Sequence, residues 1–156
     1  MDYFKTNQQA WEEAFANRRA GWGDDLVQRL TTERLPYLNS QLRQALPALE
    51  LDGKVIAQFC CNNGREILSA MQLGAAAGVG FDIAENMIKS AREAAQKAGL
   101  PCRFEACNIL TIGSKYTAAF DLVFFTIGAI TWFQDLQALF AVAARCLKAG
   151  GTLLIN

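Results

Sequence analysis

The sequence predicts an α/β protein whose mainly parallel sheet is doubly wound and preceded by helices. Three observations carry that prediction. An apolar run, Lys54-Val-Ile-Ala-Gln-Phe59, breaks into small polar residues and glycine before a helical pattern restarts at Arg65. A second run, Val79-Gly-Phe-Asp82-Ile83, follows about one βαβ unit later and ends on an acid. From Lys54 onward strand-like and helix-like stretches alternate, the pattern of a parallel sheet covered on both faces.

In chain order, residues 1–17 carry Tyr3, Phe4, Trp11, Ala14 and Phe15 at helical spacing, which puts an aromatic stripe on one helix face. Gly21 and Gly23 bracket Trp22 and interrupt that helix. A second helix is expected to start near Thr31 or Thr32 as its cap, with Pro36 in its first turn. It should continue through Leu38, Leu42 and Leu46 until Pro47 ends it. Leu51-Asp-Gly53 then turns into the first strand. Strands are expected over 54–59, 76–81, 102–105, 120–126 and 151–156, with helices over 65–73, 84–98 and 135–147. Gly74, Gly99, Pro101 and the Gly150-Gly151 pair supply the stops. Residues 109–119 are too short and polar a stretch for a helix. The organisation is then a helical lead-in or lid over 1–50 and a sheet-bearing core over 51–156, without repeats or a low-complexity linker.

Composition narrows the function. A chain of 156 residues with 52% hydrophobic residues can bury a real core, which excludes a disordered class. Fifteen basic and fifteen acidic residues cancel, so no electrostatic footprint for nucleic acid or an anionic membrane is present. No apolar run reaches the roughly 18 residues of a membrane span. The five cysteines, Cys60, Cys61, Cys102, Cys107 and Cys146, show no C-x-x-C spacing and read as reduced fillers of a cytoplasmic protein. With no histidine in the chain, a zinc site or a histidine-based catalytic pair is disfavoured, and no metal is expected.

Five segments in fixed order carry a resemblance: Gln58-x-Cys60-x-Asn62-Asn-Gly64-Arg-Glu66, Val79-Gly-Phe-Asp82, Phe104-Glu-Ala-x-Asn108, Phe120-Asp-Leu-Val-Phe124 and Leu147-Lys-x-Gly-Gly151. Together they resemble the class I S-adenosylmethionine-dependent methyltransferases. Within these the chain is similar to a bacterial branch whose first motif reads H-L-Q-C-N-N-G-x-E in place of the glycine-rich D-x-G-x-G-x-G. The resemblance implies a Rossmann-like methyltransferase fold, S-adenosylmethionine as cofactor, and a small-molecule acceptor. It also implies a further helix and two strands after the fifth strand, so the sheet is expected to be truncated at Asn156, as a fragment of a longer enzyme or a shortened relative.

The residues themselves support the site and leave alternatives open. Gly64 opens a helix after the first strand; it either lets a ligand approach the backbone, with nearby amides facing the methionine part of the cofactor, or makes a tight turn. Gln58 stands where the family commonly has an acid, and its amide oxygen accepts without acting as a counter-ion. Asp82, at a strand end, either holds the ribose hydroxyls or caps the next helix. Ile83 would lie against the adenine face. At the position where the family contacts the adenine amine stands Asn108, either a hydrogen-bond acceptor for that amine or a polar loop residue. Cys60, Asn62, Ile109 and Thr126 complete the expected cofactor surroundings. Trp132 is equally a core or a site residue. Tyr3, Trp11 and Trp22 either form a lid over the cofactor or pack as core. Arg18, Arg19 and Arg65 either neutralise a carboxylate or are solvated helix-end residues.

The expected reaction is in-line transfer of a sulfonium methyl, an already activated donor that requires alignment more than a catalytic acid or base, so no catalytic residue is named. The rival is a non-catalytic cofactor-binding or interaction protein on the same sheet. A nicotinamide-dependent oxidoreductase shares Asp82 but lacks the G-x-G-x-x-G after the first strand. An open edge on the fifth strand, beside Leu153-Leu-Ile155, predicts self-association into a homo-oligomer.

Overall fold

A computed structural model describes residues 3–156 of the chain. Helices α1 (Tyr3–Ala16), α2 (Leu26–Thr32) and α3 (Ser40–Ala48) precede β1 (Val55–Phe59). Then come α4 (Arg65–Met71), β2 (Ala77–Asp82), α5 (Glu85–Ala98), β3 (Cys102–Ala106), β4 (Phe120–Phe125), α6 (Leu136–Cys146) and β5 (Leu147–Ile155). The expected start of the first helix at Met1 and Asp2 lies outside the described residues.

The five strands form one sheet in the order β3-β2-β1-β4-β5, and every pairing is parallel. The order reverses beside β1, between β2 and β4. At such a switch point the adjacent crossovers leave towards opposite faces, which opens a crevice at the carboxyl ends of the strands.

Alternation along the central strands divides the core into two layers. Ile56, Leu122 and Phe124 join the leucines of α2 and α3 and the apolar faces of α4 and α5. Ala57, Phe59, Val123 and Phe125 face Leu139, Ala143 and Cys146 of α6. The first layer runs without a break from Leu26, Leu30, Leu42 and Leu46 into the sheet, so α2 and α3 share the core of the residues that follow them.

Two expectations change. No helix starts at Thr31 or Thr32; both lie in the last turn of α2, where their hydroxyls donate to Val27 O and Gln28 O one turn back and leave nothing for a cap. Asn39 caps α3 instead, accepting from Leu42 N at 2.9 Å. Between the two helices Gln72 clamps the chain: its Oε1 accepts from Leu35 N at 2.6 Å, and its Nε2 donates to Leu30 O at 2.8 Å. Pro36 therefore sits in a connection, and Pro47 lies within the last turn of α3. The second change is at the last strand, which starts at Leu147. Phe120 pairs with Leu147 but Leu122 pairs with Thr152, so β4 advances two residues while β5 advances five. The surplus is a bulge around Gly150, whose φ is 77°.

Candidate functional site

The carboxyl ends of β1, β2, β3 and β4 open into a cavity of about 680 Å3. Cys60 and Asn62 line it after β1, Asp82 and Ile83 at the end of β2, Cys107, Asn108 and Ile109 after β3, and Thr126 after β4. Trp11 of α1 lines it as well, with Phe4, Trp22 and Tyr37 also on the wall. Cys60, Asn62, Asp82, Ile83, Asn108, Ile109, Thr126 and Trp11 thus share one cavity. Gln58 and Gly64 do not border it.

The loop after β1 has an unusual backbone. Cys60, Asn62 and Gly64 have φ values of 57°, 54° and 78°, so alternate residues are left-handed. Aligned on Gln58, the three glycines of the D-x-G-x-G-x-G pattern fall on these same positions. Left-handed backbone costs a residue with a β-carbon about 1–2 kcal/mol, less for asparagine. Asn62 offsets part of that through its own side chain, whose Oδ1 accepts from Asn63 N at 2.7 Å.

Asp82 holds this loop. Its Oδ2 accepts from Asn62 N at 2.7 Å and its Oδ1 from Ala84 N at 3.0 Å, which ties the β1 loop to the start of α5. Asp82 thus borders the cavity and also closes the turn into the next helix. Each oxygen retains a lone pair for a ligand hydroxyl. Burial pushes the carboxyl above its ordinary value, and the two backbone amides oppose that shift. A carboxyl with a raised folded value stabilises the fold fully below the unfolded value of 3.8, and that contribution is lost as pH rises through the folded value. Comparing urea unfolding of the wild type and Asp82→Asn from neutral to mildly acidic pH should therefore shift the difference in favour of the wild type. A pH-independent difference would refute the raised value.

Gln58 is fully buried. Its Oε1 accepts from Ile67 N at 3.0 Å and its Nε2 donates to Thr126 Oγ1 at 3.3 Å. It therefore joins β1 to α4 and to the loop after β4, and it orients Thr126 towards the cavity. Gly64 likewise answers to packing. A Cβ there would lie 2.6 Å from the Phe104 ring, and one at Gly80 would lie 2.5 Å from the same ring. Phe104 fills the slot between the two glycines.

Asn108 Oδ1 accepts from Leu110 N at 3.0 Å, capping a short 3-10 turn, which leaves one lone pair and the Nδ2 group to the cavity. Burial raises the thiols of Cys60 and Cys107, the latter to about 11, so both are neutral near physiological pH and poor nucleophiles.

The aromatic stripe of α1 divides between core and cavity wall. Phe15 is buried against Ala84 and Met87, with Trp11 and Trp22 packed on the same cluster. Trp11 also meets Trp132 edge to face at 5.1 Å, and both border the cavity. Tyr3 contacts Phe4 and is not on the wall. Helix α1 is fixed to α5 through Glu12, whose Oε1 accepts from Glu85 N at 3.0 Å and whose carbonyl accepts from Asn86 Nδ2 at 2.8 Å. Arg18 is occupied elsewhere, with Asp24 at 2.9 Å, whereas Arg65 borders the cavity. Glu66 borders it too and was not nominated from the sequence. The only local signal for it was its place in the motif after Gly64.

Comparison with known proteins follows the same lines. A family model described as a methyltransferase domain matches residues 56–151. Ribosomal protein L11 methyltransferase of Enterobacter sp. (strain 638) is 39% identical over 62 residues, which cover 40% of this chain and 21% of the relative. An S-adenosylmethionine-dependent methyltransferase from Mesorhizobium loti superposes with a TM-score of 0.62 and 26% identity, over 73% of this chain and 53% of that one. Geranyl diphosphate C-methyltransferase from Streptomyces coelicolor A3(2) gives a TM-score of 0.76 at 17% identity, over 99% of this chain and 64% of that one, a likeness of fold. The chain thus spans about a fifth of the length of the curated relatives it matches.

Proposed function

The chain belongs to the methyltransferase domain family, and from that premise we propose that it binds S-adenosylmethionine in the cavity above β1 and β2 and transfers the methyl group to a small-molecule acceptor. The observation that carries this reading is the convergence of Asp82, Ile83, Asn108, Ile109 and Thr126 on one cavity at the switch point of the sheet. The residues fit the group. Asp82 presents carboxylate lone pairs to ribose hydroxyls, Ile83 and Ile109 offer apolar surface to a purine, and Asn108 offers polar capacity to its edge. When bound, the sulfonium supplies an activated methyl electrophile. The chain then has to orient an acceptor and exclude water. Trp11, Trp132, Phe133 and Ile127 give the mouth an aromatic, apolar wall suited to that.

In this reading residues 1–50 act as a lid over the core formed by 51–156, and the protein works in the cytoplasm with its cysteines reduced. Among the described residues no helix is long and apolar enough to cross a membrane. The edge of β5, with Leu153 and Ile155 exposed, is assigned to pairing with a second copy; light scattering over a concentration series tests that, and a monomer at every concentration refutes it.

Thermal shift with S-adenosylhomocysteine and, in parallel, with NAD tests the cofactor. Stabilisation by the former alone is expected, because the loop at 60–64 has the methyltransferase layout and not the G-x-G-x-x-G phosphate cradle. Equal or greater stabilisation by NAD overturns the assignment. Transfer of labelled methyl to a panel of small acceptors, with ribosomal protein L11 as a separate arm, then decides the acceptor class; label on L11 alone would replace the small-molecule reading. Binding of the cofactor with no transfer to any acceptor would favour the non-catalytic alternative.

The lid makes its own prediction. Trp11→Ala removes the ring that bridges α1 to Trp132, so stability should fall by about 0.5–1.5 kcal/mol, the scale of an aromatic pair. S-adenosylhomocysteine affinity should drop as the mouth opens. Unchanged affinity in a calorimetric titration would show that α1 is packing alone.

A further inference from the structure

The charges on the cavity wall are unevenly placed. Arg65 and Glu66, in the first turn of α4, pair with each other at 3.0 Å, and Asp82, at the end of β2, accepts a backbone amide on each oxygen. The rest of the wall extends over β4, which lies on the far side of β1 from β2 and β3. There the lining residues come from α1, the start of α3 and the loop after β4, and among these described residues none is ionisable. Tyr37, just before α3, is a phenol whose hydroxyl donates to Asp25. Two contacts hold the three elements together. Trp11 meets Trp132 at 5.1 Å, and Asn39 Nδ2 donates to Asn156 Oδ1 at 2.7 Å while Asn156 N donates to Phe125 O, on the last residue of β4, at 3.2 Å.

Asn7 is the polar member of an aromatic stripe. It lies three residues after Phe4 and four before Trp11 on α1, so the three side chains share one helix face, and all three border the cavity. Among the described residues its carboxamide has no hydrogen-bond partner, which leaves two donors and two lone pairs open. Asn39 retains one N–H and one lone pair beyond its bonds to Asn156 and Leu42 N. Around these two amides the wall is apolar. Ile127 and Trp132 border the cavity yet are 75% and 43% exposed, a surface for a ligand to cover. A charged group brought here would lose its water with no opposite side-chain charge to receive it. A cation could meet the indole faces, but it would then lie beside the sulfonium of the bound donor.

Resting on the reading that the cavity takes S-adenosylmethionine, we propose that the wall over β4 selects an uncharged aromatic acceptor with an amide-like edge, and that Asn7 is the residue that reads this edge. The ring lies against Trp11, Trp132 and Ile127. Asn7 pairs with the edge as donor and acceptor together, which a carboxylate or an amidinium cannot reciprocate. Asn39, fixed to the end of β5, supplies a further N–H. Asn7 thus sets specificity and takes no part in making or breaking bonds.

Benzamide, benzoate and benzamidine share a ring and a shape and differ in charge, so they test the wall directly. Each is titrated by NMR into the protein saturated with S-adenosylhomocysteine, which occupies the cofactor's part of the cavity, and the Trp132 indole N–H resonance reports the site. Benzamide should bind about 10-fold or more tightly than either ion, the scale of a paired amide against an unpaired charge. Asn7→Leu should weaken benzamide by about 3- to 10-fold, as for a neutral hydrogen bond, and leave S-adenosylhomocysteine affinity unchanged. Asn7→Asp, which adds a counter-charge, should make benzamidine the preferred probe. Equal or tighter binding of benzoate or benzamidine to the wild type, or a Trp132 resonance that benzamide does not move, overturns the acceptor class. Unchanged benzamide affinity in Asn7→Leu, parallel loss of S-adenosylhomocysteine in that variant, or no gain of benzamidine in Asn7→Asp overturns the role of Asn7. In each of these cases the cofactor assignment stands. If the wild type does not bind S-adenosylhomocysteine, the cavity assignment itself falls.

Discussion

Gly64→Ala is expected to destabilise the protein by about 3 kcal/mol or more, enough to remove a large share of the stability of a domain this size. Two penalties coincide. The residue sits at φ 78°, where a β-carbon is disfavoured by about 1–2 kcal/mol. That β-carbon would also lie 2.6 and 2.7 Å from two ring atoms of Phe104 and 3.0 Å from the Ala91 methyl. Neither neighbour has room to move, since Gly80 closes the other side of the Phe104 ring and Ala91 is fully buried on α5. Urea unfolding measures the loss. Because the strain and the clash are separable, Gly64→Ala combined with Phe104→Leu should recover part of it, and a pair of variants whose effects simply add would show that the ring is not the obstacle.

Asp82→Ala is expected to weaken S-adenosylhomocysteine binding by about 1.5–3 kcal/mol, the scale of hydrogen bonds made to a charged group. It should also lower stability, because Asn62 N and Ala84 N both lose their acceptor. The two losses share one cause: the carboxylate that faces the cavity is also the strut that holds the left-handed loop at 60–64 against β2. Asn108→Ala should cost less binding, about 0.5–1.5 kcal/mol, as for a neutral hydrogen bond. Titration of both variants beside their unfolding curves checks this. Wild-type affinity in Asp82→Ala would confine the residue to closing the turn.

The expected strands overlap the observed ones from Lys54 onward because period-two apolar runs and their Gly and Pro stops are local signals. Local signals also located Asp82, since the end of a strand followed by a helical pattern marks the carboxyl edge of the sheet. The helix boundary near Thr31 was lost for a non-local reason. Which of several capping residues is used depends on Gln72, far along the chain, gripping the segment between α2 and α3. Asn39, directly ahead of the helical pattern, was the usable cue.

What the sequence determined by itself was the sheet, its parallel sense, the carboxyl-edge position of Cys60, Asn62, Asp82, Asn108 and Thr126, and the family to which that order of motifs corresponds. Only the tertiary structure decided what each motif position does. Gln58 is consumed by Ile67 N and Thr126 Oγ1, the space beside Gly64 belongs to Phe104, and Arg65 with Glu66 reaches the cavity wall. It also decided that Phe15 is core while Trp11, on the same helix, is a wall of the site. The physical reason is that backbone preference and apolar periodicity are carried by residues near in the chain. The partner of a buried amide, the atom opposite a glycine and the contents of a cavity are set by elements that meet only after the sheet has assembled.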